Sequence, residues 1–234
     1  MRPGLSARKG QTMKIALINE FSQAPKNALI LSELKEVAEP LGHIVVNTGM
    51  HQTDVATGNP ADYPADNPCV TYVMTGIQAS LLLNSGAVDF VVTGCGTGQG
   101  ALLSCNSFPG VVCGYCVEPA DAYLFLQINA GNALSIPYAK GFGWGADVNL
   151  RNIFTAAFSS PVGQGYPAER REQQNRNAGI LDGLKNAVAK ELPDAIHAID
   201  SDMVRQALTP AFQEVFFAGC KDEALEALVR EYVG

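Results

Sequence analysis

A chain of 234 residues, 47% of them hydrophobic and 17% charged, has the make-up of a soluble globular protein with one sizeable core. A net charge of −7 excludes non-specific nucleic-acid or anionic-membrane binding, so any anionic ligand has to be held by a local cluster of donors. No apolar run is long enough to span a bilayer, and the six cysteines show no paired metal spacing with a nearby histidine. The expected compartment is the cytoplasm, without disulfides.

In chain order, residues 1–12 carry Arg2, Arg8 and Lys9 with no apolar stretch behind them, and read as a disordered tail ahead of a start at Met13. Lys14 to Ile18 is a buried-type strand. Leu29, Leu31, Leu34, Val37 and Leu41 recur at helical spacing, and Gly42 closes that helix. His43 to Val46 is a second strand. The polar connector from Asn47 to Asn67 is long, and connectors of that length usually carry function. A helix over Cys69 to Asn84 leads to a strand at Val88 to Val92, a glycine loop, and a short helix through Leu102 and Leu103. Val111 to Tyr115 is a strand, Ala120 to Asn129 a helix, Ala133 to Ile136 a strand and Ala146 to Phe158 a helix. Fully apolar strands alternating with helices predict an α/β fold, a parallel sheet covered on both faces. The Gly/Pro-rich stretch Pro161 to Pro167 divides an α/β domain, 13–160, from a helical C-terminal extension, 161–234. Helices are expected there over Glu169 to Leu192, Met203 to Phe217 and Asp222 to Tyr232.

The loop Gly94-Cys95-Gly96-Thr97-Gly98-Gln99-Gly100 follows the third strand, on the edge where open parallel sheets bind ligands. Four glycines in seven residues let the backbone approach a ligand with its N–H groups turned inward, and a helix N-terminus follows at once. That combination makes an anion or oxyanion cradle. It lacks the lysine of a Walker loop, and its glycine spacing and position do not match the dinucleotide fingerprint, so nucleotide binding is disfavoured. Helix N-termini favour thiolates, and a cysteine at this mouth can serve as nucleophile or as base at carbon. On local chemistry alone, Cys95 is equally readable as a small residue closing a strand. Cys113 and Cys116 form a CxxC spacing inside an apolar run, more readily buried strand cysteines than a metal or redox pair.

Taken in order, Asp62-Tyr63-Pro64, Gly86-Ala87-Val88-Asp89, Cys95 to Gly100, Asn106 to Gly110, Glu118-Pro119 and Asn129-Ala130-Gly131-Asn132 resemble the ribose-5-phosphate isomerase B / galactose-6-phosphate isomerase family. The similarity runs from about Met13 to Arg176. It implies a Rossmann-like three-layer α/β/α sandwich with a five-stranded parallel sheet, and homodimers or tetramers with sites at the subunit interface. It also implies metal-independent, cofactor-free aldose–ketose isomerisation of sugar phosphates through a cis-enediolate. Cys95 matches the base and Thr97 the residue that assists it. The resemblance places Gly96, Gly98, Gln99 and Gly100 on the enediolate side, and Glu20, Tyr63 and Asn129 among the substrate contacts.

Departures from the family pattern narrow this reading. The family's Asp-His after the first strand is Glu20-Phe21 here, and its ring-opening histidine is Ile128. Isoleucine cannot shuttle a proton, so the substrate is expected to be open-chain unless another group, such as His51, opens a ring. A family arginine is replaced by Val112, and the C-terminal arginine segment is matched loosely by Glu169 to Glu172. Arg170 and Arg171 are therefore the expected phosphate donors, with Arg176 and Lys140 nearby in sequence. Glu118 is expected to be structural, Asn106 to support the glycine loop, and Trp144 to pack at an interface. A non-catalytic sugar-phosphate-binding or regulatory subunit is the alternative function. A cysteine acyl-transfer enzyme would need a histidine beside Cys95, which no motif supplies.

Overall fold

The computed structural model describes residues 12–52 and 57–234; the segment read as an N-terminal tail lies, but for Thr12, outside the described residues. Five strands form one all-parallel sheet: β1 (Lys14–Asn19), β2 (Ile44–Asn47), β3 (Phe90–Cys95), β4 (Cys113–Tyr115) and β5 (Ala133–Pro137), in the order β2-β1-β3-β5-β4. Both faces of the central strands are buried. Ile15 and Leu17 point into one core while Ala16 and Ile18 point into the other, the two-residue period of a pleated strand covered on both sides.

On the Ile15 face lie α1 (Asn27–Ala38), α4 (Pro119–Asn129) and α5 (Ala146–Phe158), which bury Ile30, Leu34, Leu126, Ile153 and Phe154. The opposite face carries α2 (Tyr72–Asn84) and α3 (Gln99–Asn106). There the C-terminal helices join the same core: α7 (Leu192–His197), α8 (Ser201–Ala207), α9 (Pro210–Gly219) and α10 (Glu223–Val233). Phe212 and Phe216 are fully buried and stacked at 5.4 Å, and Gln78 Nε2 donates to Ala207 O at 2.7 Å. Between these groups α6 (Arg171–Val188) packs along α4.

Several boundaries differ from the sequence reading: β3 runs on to Cys95 rather than stopping at Val92, β4 and α2 start later, at Cys113 and Tyr72, and two expected helices are broken next to prolines. The helix expected over Met203 to Phe217 is two helices, because Pro210 cannot continue a helix and Thr209 caps the new one, its Oγ1 accepting from Phe212 N at 3.2 Å. Likewise the helix expected to run to Leu192 stops at Val188, and Pro193 sits in the first turn of α7.

The order in which strands are added reverses between β1 and β3: β2 lies on one side of β1 and every later strand on the other. The loops leaving β1 and β3 therefore diverge around a crevice at the carboxyl edge of the sheet.

Candidate active site

That crevice is a cleft of about 790 Å³ between the end of β1, the loop after β3, α2, α3 and the start of α8. One wall is polar. It carries Glu20 and Ser22 from the β1 loop and Cys95, Thr97 and Gln99 from the glycine loop. The other is apolar, with Phe21, Ile77, Leu103, Phe108, Ile199 and Met203.

Cys95 ends β3 with its side chain buried but facing the cleft, 3.9 Å from Thr97 Oγ1. The turn beyond it depends on glycine. A Cβ on Gly94 would stand 2.2 Å from Ile136 O, so a side chain there would part β3 from β5. Gly98 has φ +72°, and a Cβ would meet the Tyr115 ring at 2.8 Å and Pro137 N at 2.9 Å. The loop is tied down by its carbonyls: Cys95 O accepts from Tyr138 N at 3.0 Å and Gly96 O from Ala139 N at 2.9 Å, while Gly98 O accepts from Ser135 Oγ at 2.6 Å. The N–H groups of Gly96 and Thr97 make no backbone hydrogen bond among the described residues, and Thr97 Oγ1 accepts from Gln99 N at 3.3 Å. The carbonyls are anchored to β5 and its following loop, which leaves amides at the mouth beside the N-terminus of α3.

Glu20 is buried, 2% exposed, and held by its own loop: Ser22 N donates to Oε2 at 2.9 Å and Ser22 Oγ to Oε1 at 2.5 Å. Burial raises its pKa above the ordinary carboxylate value, against the lowering effect of the Ser22 bonds and of Lys26. Lys26 is not on the cleft wall. Its Nζ donates to Gln23 Oε1 at 2.8 Å and to Tyr138 O, and stands 4.9 Å from the centre of the Phe142 ring.

The other sequence candidates are dispersed. Tyr63 sits behind the wall, its ring edge-on to Phe21 at 6.5 Å. Asn129 is exposed at the end of α4, a few residues before β5 begins, and so lies at the amino edge of the sheet. Cys95 pairs in register with Pro137 at the other end of β5, which is separated from the first pair, Val91 with Ala133, by ~13 Å of strand. Arg170 and Arg171 are exposed at the start of α6, where Gly165 N donates to Gln127 O at 3.0 Å, again at the foot of α4. Arg176 is exposed on the same helix.

None of the three histidines lines the cleft. His43 accepts from Met13 N at the foot of β1, where burial lowers its pKa; His51 is exposed; His197 pairs with Glu231 at 3.2 Å. The CxxC cysteines face different cores, Cys113 with α3 and Cys116 with α4, and burial pushes Cys116 up to about 12. Asn106 bonds both ways to Cys113, at 2.9 and 3.0 Å, pinning α3 to β4. Glu118 caps α4 in a reciprocal box with Asp121. Trp144 is fully exposed.

Sequence reading passed over Ser22, Ile199 and Met203. Ser22 was detectable as a hydroxyl two residues from Glu20. Ile199 and Met203 gave no signal, standing a hundred residues from the glycine loop in an ordinary helical pattern.

A ribose/galactose isomerase family model matches residues 15–173, and a second model, described as ribose-5-phosphate isomerase, matches residues 187–232. The chain belongs to the ribose/galactose isomerase family, and it is an isomerase of the intramolecular oxidoreductase class. A ribose-5-phosphate isomerase from Vibrio parahaemolyticus is 51% identical, with a TM-score of 0.87 over 95% of this chain and 100% of that one. A 4-deoxy-L-threo-5-hexosulose-uronate ketol-isomerase complexed with a tartrate is 47% identical, with a TM-score of 0.87 over 94% of this chain and 99% of that one. The type B ribose 5-phosphate isomerase of Trypanosoma cruzi, 17% identical, shares the fold with a TM-score of 0.60 over 76% of this chain and 100% of that one. No curated protein matches the chain.

Proposed function

We propose that this chain interconverts an open-chain aldose phosphate and its ketose through a cis-enediolate, with the Cys95 sulfur as base. The observation that carries this reading is that Cys95 lines one cleft with Glu20, Gly96 and Thr97, and that the last two have N–H groups without a backbone hydrogen bond among the described residues. Cys95 takes the proton from C2, the C–H electron pair forms the C1–C2 double bond, and O1 becomes an oxyanion. The loop amides and the α3 N-terminus hold that charge. Transfer of the O2 proton to O1 and return of the proton from Cys95 to C1, with the C2=O bond formed, leaves the ketose. Thr97 stands within reach of the sulfur, and Glu20 accepts a substrate hydroxyl. The route needs a base and oxyanion donors, and neither is a metal.

An open-chain substrate is favoured because Ile128 occupies the ring-opening position and no histidine reaches the cleft. Among the described residues the cleft lining holds no lysine, arginine or histidine, so Asn129, Arg170 and Arg171 would come to the anionic end of the substrate from a second copy in a homodimer or tetramer. A second substrate reading is a non-phosphorylated keto-uronate of the kind named for the 47% identical relative. It is supported by that relative's 47% identity over 94% of this chain, and a carboxylate asks less of a cleft lining without lysine, arginine or histidine than a doubly charged phosphate does.

Solvent-deuterium exchange tests the chemistry. The enzyme in D₂O is given erythrose 4-phosphate, ribose 5-phosphate and 4-deoxy-L-threo-5-hexosulose uronate in turn. Label at the carbon next to the carbonyl, lowered by about 10²–10⁴ or more in Cys95→Ala, is the expected result. The most labelled substrate decides between phosphate and uronate. A clear preference for ribose 5-phosphate would rule out the open-chain requirement. Exchange with none of them would leave the non-catalytic binding role.

A further inference from the structure

From the make-up of the cleft's second wall we propose that Ile199 and Met203, on the segment that leads into α8, are specificity-determining residues that select substrates with a deoxygenated carbon. The inference rests on the isomerase reading of Cys95 and, within it, on the keto-uronate substrate, which it deepens.

The hydrogen-bonding side chains of the β1 loop and the glycine loop share the cleft with one phenol, Tyr72 of α2, whose ring packs against Gly100. The rest of the lining includes Phe21, Ile77, Leu103, Phe108, Ile199 and Met203, none of whose side chains offers a sugar hydroxyl a donor or an acceptor. Two serines interrupt this wall, yet both donate elsewhere: Ser104 Oγ to Val73 O at 2.6 Å and Ser107 Oγ to Leu103 O at 2.8 Å. A chain of carbons spanning the cleft from Cys95 is therefore received by hydroxyl-binding groups at one end and by apolar surface further along. A hydroxyl buried against Ile199 and Met203 loses water without replacement, whereas a methylene gains by the same burial. Ile199 and Met203 close the wall from a part of the chain remote from the catalytic loops, so they can set selectivity without touching the reacting atoms.

The magnitude is bounded. Apolar pockets discriminate weakly against an added hydroxyl, by up to about 10²-fold. Both residues are only partly buried, so polar replacements of similar size leave the core beneath them in place.

The test compares kcat/KM for 4-deoxy-L-threo-5-hexosulose uronate and for a 5-keto-hexuronate of the same length that keeps its C4 hydroxyl. Wild type, Ile199→Asn and Met203→Gln are measured, with circular dichroism and Tm as fold controls. Wild type is expected to favour the deoxy substrate about tenfold or more, and each variant to shrink that ratio by raising kcat/KM for the hydroxylated one. Equal use of the two by wild type, or a ratio unmoved in both variants, overturns the assignment of this wall while leaving the isomerase intact. If neither uronate reacts but a sugar phosphate does, this inference alone falls; if all are inert, the isomerase reading falls with it.

Discussion

Glu20 is the residue on which burial and charge compete most sharply. Its pKa is raised, so the folded protein holds the carboxyl proton to higher pH than the unfolded chain, whose value is near 4.5. The sign follows from proton counting: the stability this group contributes is fully present below the unfolded value and lost as pH rises through the folded one. At neutral pH the buried carboxylate is a cost that function retains. Glu20→Gln is therefore expected to raise Tm at pH 7–8, and the gain should close as the pH approaches 4.5. Thermal unfolding across that range checks it, and a variant less stable at every pH would mean that the Ser22 bonds outweigh desolvation. Activity should fall in the same variant, because a neutral amide accepts a substrate hydroxyl more weakly than a carboxylate. Cys95 and the glycine loop were legible in the sequence because glycine spacing is a local signal. Glu20 was legible through the family resemblance, as the match to its aspartate after the first strand, but its clamp by Ser22 depends on a loop conformation that no periodicity encodes.

At the scale of elements, the strands and the helices of the α/β layers were readable from apolar runs and helical spacing. The breaks at Pro193 and Pro210 were signalled by proline itself, but helical periodicity on either side of them masked it. What no pattern revealed is where the C-terminal helices pack. They complete the core over α2, where Phe212 and Phe216 are as buried as any strand residue. Phe216→Ala is expected to cost about 3–5 kcal/mol, since it empties a ring-sized space between α9 and α2. In a chain of this length that corresponds to a Tm lower by roughly 2–4 °C for each kcal/mol. A loss near 1 kcal/mol would show that the α9 layer stands apart from the sheet. The same packing sets the apolar cleft wall, because Ile199 and Met203 are carried by the turn into α8 and held by Val204 and Ala207 in the core below.

On the scale of the whole molecule, charges and chemistry sit on opposite edges of the sheet. Cys95 and Glu20 open on the carboxyl edge; Asn129, Arg170 and Arg171 stand at the foot of α4 and the start of α6. The same α6 exposes Ile180, Leu181, Leu184 and Val188 along its length, with Val188 86% exposed. The proposed second copy would dock on this apolar stripe, its apolar contacts holding two copies together while the neighbouring guanidinium forks reach an anion. If a second copy completes the site, Arg170→Ala/Arg171→Ala should raise KM at least tenfold and leave the Cys95 chemistry intact. Mixing that double variant with Cys95→Ala then restores what neither has. Random reassortment of subunits gives one site with both intact halves in half of the dimers, about a quarter of the wild-type number of sites. The measurement is initial rate after the two variants are unfolded together and refolded, against each refolded alone. Recovery near that fraction places the anion-binding arginines on the neighbouring copy. A mixture no more active than the sum of its parts would mean that each chain must find its anion donors on its own carboxyl edge.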